Sequence, residues 1–155
     1  MAEQVLTLAD EAATLGLGRR LAACARAGDV LALVGELGAG KTTLVHGLAT
    51  GLGVAGPVPS PTFVLVRDYP VAAGGPRLRL VHVDAYRLAN EDEALAIGLD
   101  EELPGDGLTA VEWADRIAGL LPPHTLWVAL ATLEDGRQAT LATDDLERWL
   151  GEVRA

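Results

Sequence analysis

Asp29-Val30-Leu31-Ala32-Leu33-Val34 runs directly into Gly35-Glu36-Leu37-Gly38-Ala39-Gly40-Lys41-Thr42, and Thr43-Leu44-Val45-His46-Gly47-Leu48 follows. The first stretch is short and almost wholly apolar, as a buried parallel strand requires. The second is a glycine, four residues, then Gly-Lys-Thr, which is the phosphate-loop pattern. The third carries apolar residues at helical spacing and predicts a helix to about Thr50. Strand, glycine loop and helix in that order suit anion binding. The loop N–H groups surround phosphates, the helix N-terminus adds partial positive charge, and glycines allow the dihedrals and close approach this needs.

Lys41 is the single lysine in a chain whose other eleven basic residues are arginine. At this position an ammonium is needed specifically, because a compact point charge fits between β- and γ-phosphates and a planar guanidinium does not. The ligand implied is a nucleoside triphosphate, with the Thr42 hydroxyl on magnesium.

A length of 155 residues predicts a single domain, 1–155, with a full core. No apolar run is long enough to cross a bilayer, and Met1-Ala2-Glu3-Gln4 lacks a signal-peptide charge pattern. The single cysteine, Cys24, excludes an intramolecular disulfide, and together these features predict a cytoplasmic protein with no membrane partner. A net charge of −10 argues against unassisted binding to a nucleic-acid backbone. Nine acids and no lysine or arginine fall between Leu88 and Asp115, a pattern that suits either a solvated face or a docking surface for a basic partner.

A helix is predicted over Asp10 to Arg26 with Asp10 as N-cap, then strands over Thr62–Tyr69 and Arg77–Asp84 joined as a hairpin. A short helix over Glu91–Ile97 follows, then strands over Leu108–Trp113, Thr125–Leu133 and Gln138–Thr143, and a last helix from Asp144 through Trp149. The fold class implied is α/β, a P-loop NTPase-like mixed β-sheet flanked by helices with an antiparallel hairpin portion. Two apolar strands end in acids, Leu80-Val81-His82-Val83-Asp84 and Leu108-Thr109-Ala110-Val111-Glu112. Either acid suits a magnesium ligand, and the other a group that orients water or accepts its proton. Ser60-Pro61-Thr62-Phe63 suits a segment that senses the γ-phosphate. His82 reads as a satisfied core group, and Trp113 and Trp149 as packing residues. No Asn-Lys-x-Asp, no Leu-Ser-Gly-Gly and no arginine-rich lid is present, which argues against a GTPase, a transporter ATPase and a nucleotide kinase.

Gly-Glu-Leu-Gly-Ala-Gly-Lys-Thr-Thr-Leu at 35–44, Ser-Pro-Thr-Phe at 60–63, His-Val-Asp-Ala-Tyr-Arg-Leu at 82–88 and Val-Glu-Trp-Ala at 111–114, in this order, resemble the TsaE (YjeE) family. The resemblance extends to Asp-Glu-x-x-Thr at 10–14 and Gly-Arg at 136–137. It implies a small ATPase, slow alone, that uses ATP and Mg2+. It also implies partnership with the TsaD–TsaB heterodimer in threonylcarbamoylation of adenosine 37 of ANN-decoding tRNAs, with tRNA held only through the partners. Gly35, Leu37, Gly38, Ala39, Gly40, Lys41, Thr42 and Thr43 would bind nucleotide, with Glu11 and Gly136 near its base. Thr42 and Glu112 would hold the metal, and Lys41, Asp84 and Glu112 would serve hydrolysis. Ser60, Pro61, Thr62 and Phe63 would form one switch segment, and His82, Asp84, Tyr86 and Arg87 belong to a second. The other readings of the same residues are a small nucleotide or metabolite kinase and a nucleotide-sensing module that never hydrolyses.

Overall fold

The computed structural model describes residues 1–54, 66–70, 77–103 and 105–153. Its strands form one seven-stranded sheet in the order β1-β7-β6-β2-β5-β4-β3. The central four, β6 (Leu126–Thr132), β2 (Val30–Val34), β5 (Leu108–Glu112) and β4 (Leu80–Asp84), run parallel. β7 (Arg137–Thr143), β1 (Ala2–Leu8) and β3 (Val66–Tyr69) join antiparallel at the edges. The mixed α/β sheet expected from the strand pattern is the one observed.

Alternation along each central strand sorts the core into two halves. Leu31 and Leu33 of β2, Leu80 of β4 and Leu108 and Ala110 of β5 pack on the face covered by α1 (Glu11–Cys24), α2 (Lys41–Leu52) and α5 (Leu146–Val153). Val30, Ala32, Val81, Val83 and Val111 point the other way, against Ala94, Leu99, Ala114 and Ile117. Those residues come from α3 (Glu91–Ala96), α4 (Leu99–Glu102) and a 3-10 segment over Ala114–Leu120. Because the period is two, Asp84 and His82 fall on the Leu80 face, and Glu112 falls on the Leu108 face. All three acid and imidazole side chains therefore lie on the α2 side of the sheet.

Local chemistry sets the element boundaries. Asp10 caps α1, its carboxylate accepting from Ala13 N at 2.8 Å. Asn90 caps α3 in the same way, and Glu93 reaches back to Ala89 N at 3.0 Å. Glu91 accepts from Gly119 N at 2.8 Å. Within the acidic run Glu91 and Glu93 are thus tied to backbone amides and Asp106 pairs with Arg79, while Asp92, Asp100, Glu101 and Glu102 are exposed.

Four elements differ from expectation. β1 carries no clear alternation, since Val5 on its exposed side is apolar and Gln4 on the other side is polar. It forms through its ladder with β7. α4 and the 3-10 segment are too short for a periodic signal. The strand expected over Leu108–Trp113 stops at Glu112, because Trp113 is left-handed (φ 58°, ψ 38°).

α1 and α2 meet at glycines. A Cβ on Gly18 would stand 2.4 Å from Leu44 O, and one on Gly47 would stand 2.3 Å from Leu15 O. Gly16, in the same helix as Gly18, has nothing within 4 Å. Gly47→Ala is predicted to destabilise by ~1–3 kcal/mol, since the helix backbones must separate and a propensity gain of up to ~1 kcal/mol does not offset that. Gly16→Ala should stabilise by ~0.4–1 kcal/mol. Urea midpoints of the two variants would check this, and equal stability of Gly47→Ala and the native chain would refute the close contact.

Candidate functional site

β2 ends at Val34 and α2 begins at Lys41, so residues 35–40 form the loop between a central strand and its following helix. The glycines have steric reasons. Gly35 (φ +148°) lies so near Leu130 that a Cβ would come within 2.4 Å of its carbonyl oxygen, and Gly40 (φ +109°) caps α2 in the left-handed region. Gly38 also has positive φ, with open space around it. Ala39 is buried, and Leu37 at the loop tip is 83% exposed.

Lys41 is 5% exposed. Its Nζ donates to Gly35 O at 2.6 Å and Glu36 O at 2.9 Å, and lies 4.1 Å from the Trp113 ring centroid. Burial pushes its pKa down, while Glu112, Asp84 and Asp115 oppose that shift. The ammonium is thereby held in place over the loop by carbonyls and an aromatic face.

In the parallel ladder of β4 and β5, Asp84 stands opposite Glu112. Glu112, 4% exposed, accepts from the Thr42 hydroxyl through Oε1 at 3.0 Å and meets His82 Nε2 through Oε2 at 2.6 Å. Asp84 is partly exposed, and its Oδ1 accepts from Tyr86 N at 2.9 Å. Desolvation raises the Asp84 pKa, with the nearby Glu112 adding to the rise, against the Tyr86 hydrogen bond and the charges of His82 and Lys41.

Lys41, Thr42, Asp84, Glu112 and His82 are therefore gathered at one end of the parallel strands. Thr43 follows in the first turn of α2, and Tyr86 and Arg87 are exposed in the turn after β4. The turn carrying Gly136 packs on the carbonyls of Leu8 and Ala9, just before Glu11 at the start of α1. Ser60 to Phe63 lies outside the described residues.

Trp113 packs against the core around Val30 and Ile117, as its sequence context implies, and its strained backbone, costing ~1–3 kcal/mol in a bulky residue, also sets the indole against the Lys41 ammonium. Tyr86 packs on it at 5.0 Å between centroids, and the Arg116 guanidinium lies 5.5 Å from the Trp113 centroid. Arg116 also donates to the backbone carbonyls of Tyr86 and Leu88. Only the position of Trp113, directly after a strand-end acid, could have pointed to this. Trp149 also packs, 1% exposed, in the helix-covered core.

A hydroxyl and a carboxylate meeting 3.0 Å apart beside a glycine loop suit a hard cation that takes few protein ligands. Among the described residues no three His, Cys, Asp or Glu converge as a closed metal cage. No helix among them is long and apolar enough to cross a membrane.

The family model described as Threonylcarbamoyl adenosine biosynthesis protein TsaE matches residues 8–139. A relative from Streptomyces coelicolor, named tRNA threonylcarbamoyladenosine biosynthesis protein TsaE, is 56% identical over 100 residues, 64% of this chain and 66% of that one. One of the same name from Bacillus subtilis is 42% identical over 128 residues, 82% of this chain and 77% of that one. The crystal structure of Bacillus subtilis YdiB superposes with a TM-score of 0.79 at 32% identity, covering 99% of this chain and 93% of that one. With the family model spanning most of its length, this chain belongs to the TsaE family, whose members take part in tRNA threonylcarbamoyladenosine biosynthesis.

Proposed function

We propose that this protein binds ATP with magnesium at the loop 35–42 and hydrolyses it. In this reading it is an accessory subunit for threonylcarbamoylation of adenosine 37 in ANN-decoding tRNAs, acting with a TsaD–TsaB heterodimer and not performing the transfer. The observation that carries the reading is the Thr42–Glu112 contact with Lys41 beside it.

Lys41 binds the β- and γ-phosphate oxygens, exchanging the Gly35 and Glu36 carbonyls for them. Thr42 and Glu112 hold magnesium, which supplies charge neutralisation on the phosphate oxygens when bound. His82 orients Glu112 by its hydrogen bond. Asp84, opposite Glu112 and partly open to solvent, orients the attacking water or accepts its proton. The net charge of −10 supports a division of labour in which the partners hold tRNA.

Lys41→Ala should remove useful ATP binding or turnover, a charged phosphate contact contributing ~1.5–3 kcal/mol. Lys41→Arg should fail as well, since a fork does not fit under the Trp113 face among the loop carbonyls. Full ATPase activity in the arginine variant would remove the case for a point charge.

Glu112→Ala is expected to weaken magnesium-dependent binding, and Asp84→Ala to leave binding largely intact while stopping hydrolysis. Titration of a fluorescent ATP analogue with and without magnesium separates the two, and equal binding losses would contradict the division.

The raised pKa of Asp84 carries a stability consequence. Ionisation of this group is harder in the folded chain than in the unfolded one, so it opposes folding at neutral pH and is silent at acid pH where both states are protonated. Asp84→Asn should therefore raise the melting temperature at pH 7 while abolishing turnover, and the gain should vanish as pH falls below the ordinary carboxylate range. Melting curves across pH would decide this, and a variant less stable at neutral pH would count against it.

A further inference from the structure

The sheet ends on β1, which pairs with β7 on one side and with no strand on the other among the described residues. All seven residues of β1 keep register with β7, from Ala2 opposite Thr143 to Leu8 opposite Arg137, so no bulge interrupts the strand. A free strand edge presents a row of backbone N–H and C=O groups, and proteins guard such edges with short strands, proline, bulges or lysine. β1 has no proline, no glycine and no lysine, and its one charge is Glu3. The opposite edge, β3, is only four residues long and carries Arg67 and Asp68. On β1 the Gln4 side chain donates to the Val5 carbonyl at 3.0 Å, a single exposed contact where a neighbouring strand would supply a ladder.

The open face beside this edge is short of charge. Leu6 and Leu8 turn to the core, while Glu3, Val5 and Thr7 turn outward and are exposed, Val5 at 50%. Across the ladders Val5 continues into Thr140 and Ala129, and Thr7 into Gln138 and Ala131. Those two rows hold no charged residue, and Ala129 and Ala131 are exposed. In a chain of net charge −10, this is where a second copy meets least repulsion.

The strand is complementary to itself. Two copies of β1 laid antiparallel about a two-fold axis at Val5 set Val5 against Val5, Gln4 against Leu6 and Glu3 against Thr7. Each Glu3 then faces a hydroxyl and not a second carboxylate, and the two exposed valines cover each other. A register shifted by one would set outward-facing side chains against core-facing ones. We infer that the free edge of β1 is a homodimer surface, on which two copies pair β1 to β1 about Val5 and the sheet runs unbroken through both. This surface lies three strands from β2 and its glycine loop, and the inference does not depend on the proposed ATP site.

Sedimentation equilibrium of the full chain over a range of concentration and salt tests this, using Thr7→Lys and Val5→Lys. The two variants have the same net charge, and both change an exposed, outward-facing position, so the fold is kept. Thr7→Lys sets an ammonium opposite Glu3 of the other copy, twice in each dimer, and should tighten association about two- to thirtyfold, most strongly at low salt. Val5→Lys sets ammonium against ammonium at the axis and should loosen association about tenfold or more. The native dimer should tighten as salt screens the negative charge of the two copies. Should circular dichroism show Val5→Lys unfolded, Thr7→Glu takes its place, and its carboxylate opposite Glu3 should loosen association. A native chain and a Thr7→Lys variant that both stay monomeric at every concentration would overturn the inference and leave the edge to water or to a strand of another protein. A dimer that both lysines tighten alike would overturn it too, because net charge and not register would then govern. So would a dimer indifferent to both, whose interface must lie elsewhere.

Discussion

The buried carboxylate of Glu112 is the point on which the site depends. It terminates β5, receives the hydroxyl of Thr42 from α2 and meets the imidazole of His82 from β4. A carboxylate at 4% exposure without such partners would be strongly destabilising, by ~3–5 kcal/mol when one is removed from a buried pair. Three elements distant in sequence are thus registered to one another by the need to satisfy one charge. The same register sets Asp84 beside it and brings the end of β2, where the loop starts, alongside.

The loop is held from both sides. Lys41 is fixed over it by the carbonyls of Gly35 and Glu36 and by the indole of Trp113, while the Gly35 backbone is pressed on Leu130 of β6. Close contact between α1 and α2 at Gly18 and Gly47 places the start of α2 without side chains in between. Strain is concentrated at Trp113, the only non-glycine residue at positive φ among those described. That strain sits where charge is gathered, as expected of a site whose geometry is held by its surroundings.

Much of this was legible in the sequence. The apolar run before Gly35, the glycine spacing and the helical periodicity after Thr42 predict the strand, loop and helix that are observed. The endings of the two apolar strands at Asp84 and Glu112 predict neighbouring acids, and the parallel ladder puts them side by side. What escaped was whatever depends on distant partners. β1 is made by its ladder with β7, not by its own alternation. The left-handed Trp113 has no local signal, since only glycine, asparagine or aspartate announces positive φ. His82 reads as a core group by itself, and its burial agrees, yet its partner is the site's own carboxylate. The acids Glu91 and Glu93 look like free surface charge until their backbone partners are known.

Whether the Glu112 carboxylate organises a nucleotide site can be read from a crystal structure with magnesium and a non-hydrolysable ATP analogue. The expected result is the ion between the Thr42 hydroxyl and Glu112, with Lys41 Nζ moved from the Gly35 and Glu36 carbonyls onto phosphate oxygens. A nucleotide bound with its metal away from Thr42 and Glu112, and with Lys41 still on the loop carbonyls, would contradict it.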